Sequence, residues 1–130
     1  MSALSDYGEK LVLDFLMTTG TATRPTAWFL GLYTAAPADS GGGTEVSGNG
    51  YARKAVTMAA ATSPGGTTTS TDAQAFAASG GAWGTITHVG LFDASTSGNL
   101  LWHGAITTNR VVNDGDTLTF AIGDLDLTLG

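Results

Sequence analysis

The sequence predicts a mainly β protein: an antiparallel β-sandwich or jelly-roll-like domain of about seven or eight short strands, with one amphipathic α-helix at the N-terminus. Three observations predict this fold. Short segments with alternating apolar residues recur between clusters of Gly, Ser, Thr, Asn and Asp. The chain contains 19 glycines, a residue that tight turns favour. Convincing helical spacing of apolar residues occurs once, in residues 4–19.

Composition and charge exclude several classes of protein. A length of 130 residues suits one domain, residues 1–130, with the helix (4–19) followed by the sandwich (26–129). The 42% apolar and 12% charged content argues against disorder. A net charge of −6 argues against a nucleic-acid partner. The chain lacks cysteine, an apolar run near ~20 residues and a secretory signal, so we expect no disulfide, membrane contact or export by the usual route.

The helix is predicted from apolar residues three and four positions apart. They are Leu4, Tyr7, Leu11 and Phe15. Asp6 and Glu9 have the spacing of an N-terminal cap, although Ser2 or Ser5 could also cap the helix. Gly20 is placed to end it in a left-handed turn. Because the apolar stripe is broad, the helix could either pack on its own sheet or dock on a neighbouring subunit.

The middle of the chain predicts a central strand and a hairpin. Residues 27–33 are apolar on both faces, which is typical of a strand covered on both sides, perhaps by the helix on one of them. Residues 85–92 and 100–106 alternate and flank a Ser/Gly/Asn turn, so they predict a hairpin. Residues 34–50 and 60–70 are rich in turn-forming residues and predict loops.

Four other segments alternate less regularly. The further predicted strands are residues 51–59, 73–78, 117–122 and 125–129. In the third of these, Leu118, Phe120 and Ile122 are expected to point inward.

The two histidines offer the first possible chemistry. His88 and His103 lie in the two strands of the hairpin, and with Asp93 they could hold a metal if all three converged. A structural role with hydrogen-bonded rings is the favoured interpretation. Ser95 or Ser97 could serve a catalytic dyad, but the G-x-S-x-G motif is missing. We therefore expect no catalytic and no metal-binding residue.

Aspartate pairs and a glycine run offer two further possibilities. Asp114 with Asp116, and Asp124 with Asp126, could contribute oxygens to a calcium site. Side-chain hydrogen bonds to the backbone of tight turns explain them better. Gly41–Gly43 lacks the spacing of a phosphate-binding loop. No cofactor is expected.

The aromatic residues predict contacts rather than catalysis. Trp28, Trp83 and Trp102 could form a carbohydrate-stacking platform, but large amphipathic rings more often anchor cores or subunit interfaces. Tyr51 beside Arg53 could form a recognition patch or an inter-strand pair. The candidates for contacts between subunits are therefore Leu4, Tyr7, Leu11, Phe15, Trp28, Tyr51, Arg53, Trp83 and Trp102.

Several segments of the chain, taken together and in order, carry a family resemblance. They are Leu30–Pro37 (LGLYTAAP), Gly42–Val46 (GGTEV), Gly48–Arg53 (GNGYAR), Trp83–Asp93 (WGTITHVGLFD) and Gly98–Leu101 (GNLL). The chain resembles a family of small proteins of tailed bacteriophages and prophages that are often labelled tail-fibre-like or virion structural proteins. The similarity spans the helix and nearly the whole β region.

The resemblance implies a non-enzymatic structural component of the virion, present in many copies. We expect a homo-oligomer, a trimer in particular, that assembles in the host bacterial cytoplasm and contacts other virion proteins such as major capsid or tail proteins. A tail-fibre position and a capsid-decoration position both remain open. The alternative function is a host-surface module of the phage particle that binds a glycan.

Overall fold

The computed structural model describes residues 3–129 and confirms a mainly β, antiparallel, sandwich-like fold with one helix near the N-terminus. It has ten strands, more than the about seven or eight expected. The elements are β1 Ala3–Leu4, α1 Asp6–Met17, β2 Phe29–Ala35, β3 Thr44–Glu45, β4 Lys54–Ala55, β5 Thr67–Thr69, β6 Gln74–Ala77, β7 Gly84–Phe92, β8 Leu100–Val112, β9 Thr117–Phe120 and β10 Asp126–Thr128.

The largest sheet has the strand order β1-β8-β7-β2-β3, with β4 also paired to β2. The predicted hairpin is confirmed as the antiparallel pair β7–β8. Strand β8 continues beyond the predicted end at Ile106 to Val112. Two smaller sheets, β6–β9 and β5–β10, complete the fold. Strand β5 lies in the segment expected to be a loop, where a run of three threonines, a residue that favours strands, pairs with β10.

The main core joins the large sheet to the small sheets. Leu30 and Leu32 of β2, Ile86 of β7 and Phe76 of β6 are all essentially inaccessible to solvent. Each such side chain stabilises the fold by about 1.5–3 kcal/mol relative to exposure. Alternation along β2 places Leu30 and Leu32 on one face, as the sequence predicts, whereas Ile86 joins them where the regular pairing of β7 is interrupted between Ile86 and His88.

The opposite face of β2 is also covered, as expected, but not by the helix. Gly31 pairs with Gly90 across β2 and β7, which leaves space beside them for aromatic rings. Tyr33 and Phe92 stack there with ring centroids 6.3 Å apart. Helix α1 contacts β1 and β8 and makes no contact with β2.

Helix α1 is shorter at both ends than residues 4–19. Leu4 pairs with Trp102 as part of β1, and Ser5 is the N-cap, its hydroxyl accepting a hydrogen bond from Gly8 N at 3.0 Å. The alternative cap Ser2 lies outside the described residues. The helix ends at Met17, followed by extended Thr18, so the predicted left-handed turn at Gly20 is wrong.

Two strand predictions also need correction. Of residues 51–59, only Lys54–Ala55 form a strand, and Tyr51 and Arg53 lie before it with their side chains bonded to Glu45. Strand β9 ends at Phe120, and Ile122 is 68% exposed instead of pointing inward. The tight turn closed by the Asp124 carboxylate on Ala121 N at 2.8 Å interrupts the alternation before Ile122 can reach the core.

Candidate functional site

Arg53 is the centre of a nearly buried network of polar contacts. Its guanidinium donates two hydrogen bonds to Glu45, both 2.8 Å long. One terminal nitrogen also donates to the carbonyl oxygens of Ala94 at 3.0 Å and Ser97 at 2.7 Å. The guanidinium carbon lies 3.5 Å from the centroid of the Phe92 ring. One side chain therefore joins β3, the segment before β4 and the turn between β7 and β8.

Tyr51 completes this network. Its hydroxyl donates to Glu45 Oε1 at 2.8 Å and accepts from Leu32 N at 3.0 Å. A Cβ atom at Gly31 would lie 2.9 Å from Glu45 Oε1, 3.1 Å from Phe92 and 3.2 Å from the Tyr51 hydroxyl. Only glycine fits at this position without displacing those groups, so the close packing accounts for the glycine in the centre of β2.

The network also shifts the titration of its members. The hydrogen bonds that Arg53 donates to Glu45 raise the pKa of Arg53. Burial, followed by the nearby Glu45 carboxylate, raises the pKa of Tyr33 to about 12. Burial also raises the pKa of Tyr51. Both phenols are therefore neutral and Arg53 is charged near neutral pH. Because the donors and acceptors of the network are paired with one another, the network holds the loops around Glu45, Arg53 and residues 94–97 in fixed positions.

The three tryptophans have different surroundings. Trp83 is 8% exposed, its indole N–H donates to Asn49 O at 3.0 Å, and its ring meets Tyr51 edge-on with centroids 5.5 Å apart. Trp28 is half-buried and packs against the core. Trp102 is also half-buried, but it lines an open cleft. A platform of all three rings is therefore not formed.

The cleft that Trp102 lines has a volume of about 320 Å³. Strand β8 forms one wall, and β9 with the segment leading into β10 forms the other. Its lining combines apolar side chains with threonines, one arginine, one histidine and two aspartates. We call it the β8 cleft.

Helix α1 carries the largest concentration of exposed apolar side chains. Phe15, Leu16 and Met17 are 67%, 65% and 76% exposed, and Leu13 and Tyr7 are also exposed. We call these five residues the α1 surface. The buried residue of the helix is Gly8, where a Cβ would lie 2.7 Å from Leu101 O. The first turns of the helix are thus held close to β8, whereas the last turn is open to solvent.

A groove of about 260 Å³ lies beside the α1 surface. It is lined by Leu11, Val12, Phe15, Leu16, Ala22 and Arg24. Leu11 and Phe15 are one turn apart on the same stripe, yet Leu11 is half-buried. The apolar stripe predicted for the helix is therefore covered by the chain's own sheet near Leu11 but is left in solvent at Phe15.

The histidines occupy separate contacts. In the hairpin, His88 pairs with Ala105 and His103 with Gly90, so the two histidines are not directly opposite. His88 Nδ1 lies 2.7 Å from Thr87 Oγ1, and His103 Nε2 lies 2.7 Å from Asp39 Oδ1. Within residues 3–129, no group of three or more His, Asp or Glu side chains is arranged to hold a metal.

Of the four aspartates, Asp116 and Asp124 bond to the backbone of their own turns as expected, whereas Asp114 bonds to the distant residue Gly80. Asp116 accepts from Asn113 N at 2.9 Å, and Asp114 accepts from Gly80 N at 3.0 Å. Across the part of the chain that the structure describes, no helix is long and apolar enough to cross a membrane.

A comparison with known protein families shows to which family the chain belongs. Residues 3–128 match the model of the family described as Podophage GP4 fiber I protein gp80. The chain belongs to this family. Membership of this phage fibre family confirms the resemblance seen in the sequence and indicates a structural component of the virion. No curated protein matches the chain.

The segments that carry the resemblance of this phage fibre protein meet in the Arg53 network. LGLYTAAP supplies Gly31, GGTEV supplies Glu45, GNGYAR supplies Tyr51 and Arg53, and WGTITHVGLFD supplies Phe92. No sequence pattern identified Glu45 as the partner of Arg53. One signal was available: Glu45 is an acidic residue between two glycine-rich turns, and Arg53 follows it by eight positions. This arrangement could have predicted an ion pair between them.

The structure brings the predicted contact residues together only in part. Tyr7, Leu11 and Phe15 share the helix, and Leu4 joins Trp102 across β1 and β8. Tyr51, Arg53 and Trp83 meet inside the chain. The role of all nine residues between subunits stays a prediction. The exposure of Leu16 and Met17 was missed, because periodicity shows where a stripe lies but not where the underlying sheet ends.

Proposed function

We propose that this phage fibre protein is a non-enzymatic building block of the virion that folds as one domain and assembles into a homotrimer through the α1 surface. It assembles in the host bacterial cytoplasm before joining the particle. The observation that carries the proposal is the exposed last turn of helix α1, with Phe15, Leu16 and Met17 all more than half exposed.

The exposed area of the α1 surface suits a contact between proteins. With roughly 150–250 Å² on each large aromatic side chain and comparable values for leucine and methionine, these residues leave on the order of 600 Å² of helix surface in solvent. The largest apolar patch of a typical monomer is about 300–600 Å². A standard interface covers about 800 Å² on each partner. Consecutive side chains of an α-helix point about 100° apart, so one partner would cover part of this area and other contacts would supply the rest of an interface.

The geometry of the helix also supports a ring of subunits. The α1 surface is apolar and exposed, and two of its residues, Phe15 and Leu16, also line the groove of about 260 Å³. An exposed apolar region of this kind can pack against the same region of other copies around a symmetry axis, and homo-oligomers usually close into rings of this cyclic type. A trimer is one such ring. The low content of charged residues, 12%, further supports burial of surface between copies.

The test measures the mass of the purified protein by size-exclusion chromatography with light scattering. We expect a mass three times the 13.1 kDa of one chain, and a single-chain mass for Leu16→Ser with Phe15→Ser. Ile122→Ser is the matched control, because Ile122 is 68% exposed but lies outside the helix. A monomeric wild-type protein, or a trimer that survives the double substitution, would contradict the proposal.

Two positions in the particle are compatible with this building block, a tail fibre and a capsid decoration. The neighbouring proteins would be tail proteins in the first case and the major capsid protein in the second. Gold labelling of intact particles distinguishes them, since label over the whole head indicates decoration and label at the tail indicates a fibre. Family membership favours the fibre.

Recognition of a host-surface glycan is the second candidate function. It is favoured by Trp102, an aromatic ring that is only half-buried and lines the β8 cleft beside charged and hydroxyl side chains. Binding of fluorescently labelled protein to host cells, and its loss after removal of surface polysaccharide, tests this function. Binding that is unaffected by removal of the polysaccharide would contradict it.

A further inference from the structure

The β8 cleft lies where the pairing of strand β8 with β7 is interrupted by a bulge. Ile86 pairs with Arg110, but His88 pairs with Ala105, so residues 106–109 of β8 stand opposite Thr87 alone. Extra residues in one strand bend it, leave backbone unpaired and re-aim side chains, and such bulges are frequent beside functional sites. Residues 105–108 line the cleft, and the bulge thus forms part of its wall.

The walls of the cleft offer hydrogen-bonding groups that the chain does not use. Among residues 3–129, the side chains of Thr107, Thr108, Arg110 and Asp126 have no intramolecular hydrogen-bond or ion-pair partner, and all four line the cleft. The indole N–H of Trp102 is likewise without a partner and is not among the buried unpaired atoms. The cleft therefore combines free donors, a free carboxylate acceptor and an aromatic ring.

This combination selects a class of ligand. A strongly anionic ligand would meet Asp124 and Asp126, and a strongly cationic one would meet Arg110. An entirely apolar ligand would remove the free polar groups from water without replacing their hydrogen bonds. A neutral molecule with many hydroxyl groups can donate to Asp126, accept from Arg110 and place its C–H groups against the indole.

We propose that the β8 cleft binds a neutral saccharide. At about 320 Å³, the cleft has the size of a small-molecule pocket, for which about 300–1,000 Å³ is usual. Trp102 supplies the apolar contact, and Arg110 with Asp126 fixes the orientation of the hydroxyl groups. The inference rests on glycan recognition, the second candidate function, and specifies its site and its ligand class.

The test follows the tryptophan indole N–H resonances of isotope-labelled protein by NMR. The probes are methyl glycosides of glucose, galactose, rhamnose and N-acetylglucosamine, with methyl glucuronide as the acidic comparison. We expect at least one neutral glycoside to shift the Trp102 resonance while the Trp83 resonance, bonded to Asn49, stays in place. The glucuronide is expected to bind at least several-fold more weakly.

Substitutions in the walls of the cleft give the second arm. Arg110→Gln and Asp126→Asn each remove one charge, and each is expected to weaken the affinity for the neutral glycoside about tenfold, which corresponds to about 1.4 kcal/mol. Arg24→Gln is the matched control, because Arg24 lies at the other groove, beside α1. Both wall residues are exposed, so the variants should fold.

Three results would overturn the inference: no shift with any neutral glycoside, tighter binding of the glucuronide, or an affinity that both wall substitutions leave unchanged. Glycan recognition can fail separately from the cleft. If labelled protein binds polysaccharide on cells but Trp102 does not respond, the second function stands and the site is wrong. If the cleft binds a glycoside but cells are not bound, the site stands and its cellular role is wrong.

Discussion

The Arg53 network and the α1 surface differ in whether their side chains find partners within the chain. In the network, Arg53 meets Glu45, two carbonyl oxygens and the Phe92 ring within the same chain. On the α1 surface, Phe15 and Leu16 have their apolar area in solvent. The first region is complete within one chain, and the second would gain free energy from a partner.

The difference bears on what the family motifs mean. The quoted motif segments supply the network, whereas helix α1, residues 6–17, lies outside all of them. The motifs thus contain the residues whose contacts hold the loops of the fold in place. The surface through which we propose that the protein assembles is set by a different part of the sequence.

The strongest test of the network is the removal of its cation. Arg53→Met leaves the Glu45 carboxylate without its partner in a site where the Arg53 side chain is only 9% exposed. Breaking a buried ion pair typically costs about 3–5 kcal/mol, and partial exposure of Glu45 places the expectation near 3 kcal/mol. Urea denaturation measures the loss. The double variant Arg53→Met with Glu45→Gln should lose less, and equal stability of Arg53→Met and wild type would refute the interpretation.

A methyl group at the crowded glycine should have the next largest effect. Gly31→Ala places a Cβ 2.9 Å from Glu45 Oε1, so the network must shift. Overpacking of this kind costs about 1–3 kcal/mol. Gly20→Ala is the control, because the nearest atom to its Cβ would be Thr18 Oγ1 at 3.6 Å. Thermal unfolding compares the two variants, and similar melting temperatures would contradict the steric argument.

Alkaline pH should weaken the network more gradually. The pKa of Tyr33 is about 12 in the folded chain, against roughly 10 in an unfolded chain. The folded state therefore holds this proton more tightly, and the resulting stability is complete below pH ~10 and lost as the pH rises toward ~12. Melting temperatures across this range should fall less steeply for Tyr33→Phe, which keeps the ring beside Phe92. Parallel curves for both proteins would count against the assignment.

The smallest effect on the unfolding free energy is expected on the α1 surface. At dilutions where the protein is monomeric, Phe15→Ala should change it by less than about 0.5 kcal/mol, because a mostly exposed side chain contributes little. Leu11→Ala, one turn earlier and half-buried, should cost more. Chemical denaturation at two protein concentrations makes the comparison. A large loss for Phe15→Ala in the monomer would mean that the last turn of the helix packs within its own chain.

Local patterns predicted the fold class well because alternation and turn residues act over short distances. The hairpin of residues 85–92 and 100–106 and the inward positions of Leu118 and Phe120 follow from period-two alternation. The same rule was wrong for Ile122, where a tight turn interrupts the strand. It also failed for most of residues 51–59, where only Lys54 and Ala55 pair with β2 and the side chains of Tyr51 and Arg53 bond to Glu45.

By itself, the sequence determined the mainly β class, the single helix, the central apolar strand and the family to which the chain belongs. Tertiary structure alone decided which residues are partners and which surfaces stay open. Glu45 joins Arg53 across an intervening glycine-rich loop, and the bulge in β8 lies at the cleft beside Trp102. Such contacts depend on register and on where a sheet ends, and both are set by distant strands whose pairing no local pattern encodes.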